Sequence, residues 1–349
     1  MTFRQLMNRM RPGVTVVTAL TLTLCGSALV AAPPSQAFGT IIGGGQNAEH
    51  EKITRRALRC TGSGGHSDAA NSCFEARSLD QLAGHTGTFG AVGAPDITEV
   101  TVAAAHCDNA DYRPSVPLAR YPRSRAQATA VLVDCIDHLK SRYNQGVSAG
   151  GNLVGPAPLY RSDADEYDLR HDCNFALVSS REKCDALEGF GRALHGIQDF
   201  YSHSNWADRE RTAVPVSSTN PVGLNRSTTA PFLNMRAATV DTSTIPHELS
   251  TGCFELVGDD ECRHRVTHDT LNKDTGVISV TSSHVGSGST PRGGIRDNFK
   301  SAVDGAVAET VLQWATFRAE LRSRYGTTRG NLIACVMTHD RPQDDCLPE

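Results

Sequence analysis

The chain has 349 residues, a formal net charge of −4 at pH 7 and a sequence pI near 6.3. That length is one large domain or two small ones. There is no basic excess to draw it onto nucleic acid or an anionic membrane surface.

Met1–Arg11 carries three arginines and no acid, and Thr15–Ala32 follows as a largely apolar run. With the small-residue exit Ser35-Gln36-Ala37, this reads as a secretory signal peptide cut before Phe38, with a cut after Ala32 as the alternative. The other readings are a membrane anchor, for which the run is just long enough, and a lipoprotein built on Cys25, where bulky Leu24 stands in place of a small residue. No later segment is apolar enough to span a membrane. Cleavage at residue 37 leaves 312 residues, Phe38–Glu349, with a charge near −7. Of eleven cysteines, Cys25 leaves with the leader and ten remain. An even count in an exported chain predicts up to five disulfides. The short loops favour Cys60–Cys73, Cys253–Cys262 and Cys335–Cys346, and the remaining pairing stays open. A thiolate metal site is disfavoured because the chain contains no Cys-x-x-Cys.

Along the mature chain, Ala48–Leu58 reads as a helix, and Thr61–Asp96 as loop with short helical pieces. Pro95-Asp96 opens a helix predicted to run through Val100–Ala105. Arg123–Tyr143 is a stronger helix, with Ala128, Val131, Leu132, Cys135 and Leu139 on one face. Arg181–His203 is the clearest helix. Residues 207–293 are rich in Ser, Thr, Gly and Pro and form an irregular insertion, with a hairpin around Val277–Val280. Asn298–Tyr325 is the final long helix, placing Val303, Val307, Val311, Trp314 and Phe317 on one side. Strand signals are sparse, so the fold class is all-α, a single domain over residues 38–349.

The helix Arg181–His203 carries two stripes. At 100° per residue, Leu187, Phe190, Ile197 and Tyr201 fall within about 60° of Leu194, which makes a core stripe. Glu188, Arg192, His195, Asp199 and His203 fall between about 100° and 180°, and every one of them is titratable. Residues four apart stack on one face. His195 and Asp199 can therefore reach one ion, with His203 suited to a neighbouring ion or a bent helix end. Glu188 and Arg192 make an i,i+4 ion pair or support the ligands. The competing reading is a solvated face, but such faces are usually rich in lysine and this row has none. Gly189, Gly191 and Gly196, with Ala193, predict that another backbone packs very close here.

The string Leu194–Trp206, LHGIQDFYSHSNW, resembles the metal-binding helix of the zinc-dependent phospholipase C and S1/P1 nuclease superfamily, in particular its Het-C-like branch. The chain in outline resembles secreted CinY-type proteins of that branch. The resemblance implies a helical bundle around up to three zinc ions, His195, Asp199 and His203 being ligands. AEHEKITRRAL, Ala48–Leu58, is similar to the family's first helix, which implies His50 as a further ligand. It also implies that Phe38, as a mature N-terminal residue, binds through its amine and carbonyl. Within Pro95–Tyr112 the resemblance implies Asp96 and His106, with Asp108 and Asp111 in reserve. THDTLNKDTG, Thr267–Gly276, is similar to a Het-C segment near a Cys-x-His element, here CRHRVTH, with His264 and His268. The phospholipases place a third histidine two residues later than His203, and they carry a His-xxx-Glu pair that this chain lacks; His264 and His268 stand as substitutes.

The other histidines carry less. His66 and His85 lie in Gly-rich loops, His138 sits on a helix beside Asp137, and His171 precedes Asp172-Cys173. His247, His284 and His339 read as incidental. Cys107, next to His106, reads as a disulfide that pins the loop. No Gly-x-Ser-x-Gly elbow supports a serine hydrolase.

The expectation is then a secreted phosphoester hydrolase of phospholipase C type holding one to three Zn2+, with a phospholipid ahead of a nucleotide as substrate. His50, His106, His195, Asp199, His203, His268 and Phe38 would bind metal, and Asp96 or Asp108 would bridge metals or accept a proton from water. No stable nucleic-acid partner and no transmembrane anchor are expected. The rival expectations are a non-catalytic exported protein that keeps one structural zinc and acts in envelope or cell–cell contacts, and a metal-free fold whose His/Asp row is a buried hydrogen-bond network.

Overall fold

The computed structural model describes residues 38–40, 42–43, 46–114, 121–155, 167, 169–176, 181–254 and 261–346. The expected signal peptide, with Cys25, lies outside them.

The helix predicted over Arg181–His203 is α6, Glu182–His203, and it has no exposed residue from Gly189 to His203. A helix buried on all faces must be packed from every side. Its neighbours are α5 (Arg125–Leu153), α3 (Gly90–Gly93) and α8 (Asn298–Tyr325). The glycines make this approach possible. A Cβ on Gly189 would lie 2.2 Å from the backbone nitrogen of Gly146 on α5, and one on Gly196 would lie 2.3 Å from the carbonyl of Ala105. The predicted core stripe is buried throughout, with Phe190 set against Trp314 and Phe317 of α8.

Around this centre stand α1 (Glu49–Leu58), α2 (Ala76–Ala83), α4 (Pro95–Thr98), α7 (His268–Leu271), α9 (Thr327–Thr338) and α10 (Pro342–Asp345). A short pair, β1 (Ile42–Gly43) with β2 (Gln46–Asn47), precedes α1. The expected hairpin is present as β3 (Gly276–Ile278) antiparallel to β4 (Val285–Gly288). Five disulfides, Cys60–Cys73, Cys107–Cys135, Cys173–Cys184, Cys253–Cys262 and Cys335–Cys346, staple the irregular parts. The chain is therefore mostly helical with disulfide-held loops. No described helix is long and apolar enough to cross a membrane.

Several boundaries differ from expectation. The helix expected over Arg123–Tyr143 starts at Arg125, behind a Ser124/Gln127 capping box, and continues to Leu153. Its last turns contain Gly146, Gly150 and Gly151, which weaken helical propensity but seat against α6, Ile333 and Tyr325. The helix from Pro95 stops at Thr98, and only a single 3-10 turn, Ala103–Ala105, follows. Helix α8 is not the last, because Gly326 turns the chain at φ +81° into α9. Val311 is 48% exposed, since steps of four residues drift around the helix, away from Trp314 and Phe317.

Candidate functional site

His195 and Asp199 lie one turn apart on α6, both fully buried. His50 reaches them from the first turn of α1, with Nε2 3.1 Å from Asp199 Oδ1 and its ring stacked 4.2 Å from that of His195. His106, just beyond the 3-10 turn, brings Nδ1 to 3.0 Å from Asp199 Oδ2 and 2.9 Å from His195 Nε2. The Cys107–Cys135 disulfide ties this loop to α5. Asp96 enters from α4, its Oδ1 3.5 Å from His195 Nε2 and 3.8 Å from His106 Nδ1, while its other oxygen accepts from Thr40 Oγ1. Three histidines and two carboxylates thus converge from α1, α4, α6 and one loop.

The far side of each imidazole decides what the near side can be. His195 Nδ1 faces the carbonyl of Val92 at 2.8 Å. His106 Nε2 faces the carbonyl of Glu99 at 3.3 Å. His50 Nδ1 faces Gln198 Oε1 at 2.8 Å, and the Gln198 amide is oriented by donating Nε2 to Thr54 Oγ1 and Thr310 Oγ1. A carbonyl oxygen only accepts, so each outer nitrogen carries the hydrogen. In the neutral tautomer each inner nitrogen is then a bare lone pair, and these lone pairs point at carboxylate oxygens and at one another. His50 Nε2, Asp199 Oδ1 and Asp96 Oδ1 are buried without a hydrogen-bond partner. Orphaned polar atoms of this kind are costly and call for a cation or protons between them. The groups His50/His195/Asp199 and Asp96/His106/His195 each bring one ligand atom per residue within 4.8 Å of one another, the spread a bound metal ion requires. This donor set suits a divalent transition metal. Burial raises the Asp199 carboxyl, but His195, His203 and His50 outweigh it and hold Asp199 well below the usual carboxylate range. Burial lowers His50 and His106, but Asp199 outweighs it and raises both, so the group attracts positive charge, whether protons or a metal ion.

A second group lies at the end of α6. His203, its last residue, has Nδ1 3.2 Å from Asp108 Oδ1 and Nε2 3.2 Å from Asp274 Oδ1. His268, opening α7, has Nδ1 3.3 Å from Asp108 Oδ1 and Nε2 3.4 Å from Asp274 Oδ2. Burial and the neighbouring His203 lower the His268 imidazole, yet the aspartates prevail and push it up to about 9. Asp108 is raised by burial but pulled down to about 2 by the two histidines. Asp108, His203 and His268 also meet the spacing of a metal site. Across both groups, no side chain is more than 6% exposed.

The structure therefore brings His50, Asp96, His106, His195 and Asp199 into one group and Asp108, His203 and His268 into another. Phe38 is buried with its ring edge-on to His50 at 5.9 Å. Asp111 joins neither group; it pairs with Arg265 and accepts from Tyr121. His264 is exposed at φ +63° and shares no helix with His268, so their i,i+4 spacing has no structural meaning. His66 and His171 are exposed. Cys335, His339 and Cys346 also cluster, but the two sulfurs are spent in a disulfide. Asp274, Gln198 and Glu99 escaped the sequence reading. Asp274 stood inside THDTLNKDTG, six residues after His268, and a carboxylate that close to a ligand histidine was the available signal. Gln198 acts on His50, distant in sequence, and Glu99 acts on His106 through its main-chain carbonyl, which residue identity does not mark.

No family model, no curated protein and no solved structure matches this chain.

Proposed function

We propose that this chain is an exported zinc-dependent phosphoester hydrolase with a helical bundle of the phospholipase C and P1 nuclease type. The observation that carries the reading is the set of three histidines whose outer nitrogens are committed to carbonyl oxygens and whose inner nitrogens face Asp96 and Asp199. His195 has a single free nitrogen and would serve one ion, with His50 and Asp199; Asp96 and His106 would offer donors to a second, and Asp108, His203, His268 and Asp274 would hold a third. Zinc in paired sites polarises a phosphoryl oxygen and lowers the pKa of bound water to near 7. Asp96 Oδ1, buried and without a hydrogen-bond partner, would serve either as the metal's carboxylate or, with the metal held by other donors, as a proton acceptor beside His106 and His195. Phe38 packs edge-on against the ring of His50. A phospholipid head group is the first substrate class and a nucleotide the second. Five disulfides support an oxidising, extracellular location for the folded chain.

Burial favours a second reading. A catalytic zinc keeps an open coordination position, whereas a structural zinc is closed, and these side chains are almost wholly covered. That reading is a non-catalytic exported protein with structural zinc. The test is elemental analysis of the folded, disulfide-intact protein beside Asp199→Ala, with hydrolysis of phosphatidylcholine vesicles and of a dinucleotide. Two or three ions and hydrolysis of either substrate, both lost in the variant, would support the hydrolase. One ion without hydrolysis would favour the structural reading. Folded protein with no zinc would remove both.

A further inference from the structure

Glu99 sits just past α4, 8% exposed, among side chains from two other helices. Its Oε2 accepts from Arg192 Nη1 of α6 at 2.8 Å. Its Oε1 accepts from Arg142 of α5, and His138 of α5 stands 3.4 Å away. Arg192 is itself fixed, donating to Glu188, to Thr98 Oγ1 and to the carbonyl of Phe175. The backbone carbonyl of the same Glu99 accepts from Val102 N at 2.8 Å and from His106 Nε2 at 3.3 Å. One residue thus joins a charged clamp on its side chain to the acceptor that faces His106 on its main chain.

We infer that Glu99 is a positioning residue for His106: the Arg142–Glu99–Arg192 clamp holds the Glu99 carbonyl against Nε2, so the ring keeps its hydrogen there and presents a bare Nδ1 to Asp199 and Asp96. His106 enters through a loop, whereas His50 and His195 sit on helices, so its ring has the greatest need of an outside fix. Arg192 lies one turn from His195, and the clamp therefore registers the loop on the helix that carries the other inner ligands. Outer partners of ligand histidines typically govern metal affinity by 10–100-fold. The inference rests on the metal-centre reading, but its first readout does not.

The test uses the full exported chain, disulfides intact, as wild type, Glu99→Ala, Glu99→Gln and Arg142→Ala. Imidazole 15N–1H correlation spectra, with His106 assigned by His106→Gln, report the tautomer whether or not metal is bound. Cobalt(II) titration, followed by its visible absorption, reports affinity and ligand geometry. Wild type is expected to show His106 with hydrogen on Nε2. Glu99→Ala should mix the tautomers, weaken cobalt binding about 10–100-fold and alter the spectrum. Glu99→Gln, which keeps one acceptor for an arginine, should fall between the two. Arg142→Ala, at the outer edge, covers the case in which Glu99→Ala fails to fold. Unchanged tautomer in the folded variants would overturn the inference, even with lower thermal stability. A wild type that binds no cobalt would sink the metal reading, while the tautomer spectra would still decide the role of Glu99.

Discussion

The two histidine–carboxylate groups differ in what stands behind each imidazole. In the inner group, around Asp199, every ring turns one nitrogen to a neutral carbonyl oxygen, from Val92, Glu99 or Gln198. In the outer group, His203 and His268 each lie between Asp108 and Asp274, with a carboxylate facing both nitrogens. A carbonyl in that place fixes which nitrogen keeps its hydrogen and, in the neutral ring, leaves a lone pair to be met. A pair of carboxylates can instead be met by a doubly protonated imidazolium. Two imidazoliums and two aspartates would balance in charge, so the outer group can close on protons alone. The inner group, with three rings and two carboxylates around mutually facing nitrogens, closes much better on metal. The lesson is that residue types alone do not separate a metal centre from an ion-pair cluster; the acceptor on the far nitrogen does.

The largest effect that can break this comparison is chelation. An ion that binds only the folded state at 100 to 1,000 times its dissociation constant adds about 2.7–4.1 kcal/mol per site. Removing metal should therefore lower the unfolding temperature strongly, and calorimetry in the presence and absence of a chelator, disulfides intact, measures it. An unchanged transition would mean that the inner group is held by protons.

Selective loss comes next. Gln198→Leu removes the acceptor behind His50 and strands Nδ1–H against an apolar group. Metal affinity of the inner group is expected to fall by about 10–100-fold. Asp274→Asn touches the outer group and Ser202 but no inner-group residue directly, so it should leave inner-group affinity unchanged while altering any third ion. Competition titrations with a chromophoric chelator separate the two. Equal losses from both substitutions would show that the groups act as one coupled centre.

The inner group was legible to the extent that its residues lay on helical spacing or on recognisable strings. Spacing alone put His195 and Asp199 together, and it set His203 in the same row although His203 belongs to the outer group. It did not reveal that His203 turns away from Asp199 toward Asp274, because that depends on where α7 docks on the end of α6. The glycines Gly189, Gly191 and Gly196 announced a close backbone, though not which one. Three short-loop disulfides were readable from separation; Cys173–Cys184, only 11 residues apart, was left open, and Cys107–Cys135 spans 28 residues and needed the packing of α5 against the His106 loop. The extension of α5 to Leu153 was hidden because its glycines lower local propensity and are repaid only by tertiary contact. The acceptors Val92, Glu99 and Gln198 were out of reach for a related reason: two of them act through main-chain atoms or their placement, which residue identity does not encode.

The smallest effect isolates the outer group from an unrelated buried charge. Lys183, on the first turn of α6, is fully buried, with Nζ donating to Ser78 Oγ and the carbonyl of His339. Burial drives its pKa down to about 7, against the pull of Asp340 and Glu75. The unfolded lysine, at an ordinary value near 10.4, binds a proton that the folded one releases, so between about pH 7 and 10 stability rises with pH. Of that rise, about 1 kcal/mol falls between pH 7 and pH 8. His268 has the opposite sign in metal-free protein. Its folded value, about 9, is raised, so its contribution is complete below the unfolded value near 6.5 and is lost as pH climbs through 9. The two slopes oppose each other over the same window and mask one another in wild type. Lys183→Met removes the rising slope that begins near pH 7, leaving that of Lys273, which burial lowers to about 8. Denaturant melts of the metal-free variant from about pH 6.5 to 8 should then show stability falling with pH. His268→Gln in that background should make the fall shallower, with His203, His50 and His106 carrying the rest. A curve already flat in Lys183→Met would show that the outer histidines carry no extra protons, which would erase the difference in protonation drawn between the two groups.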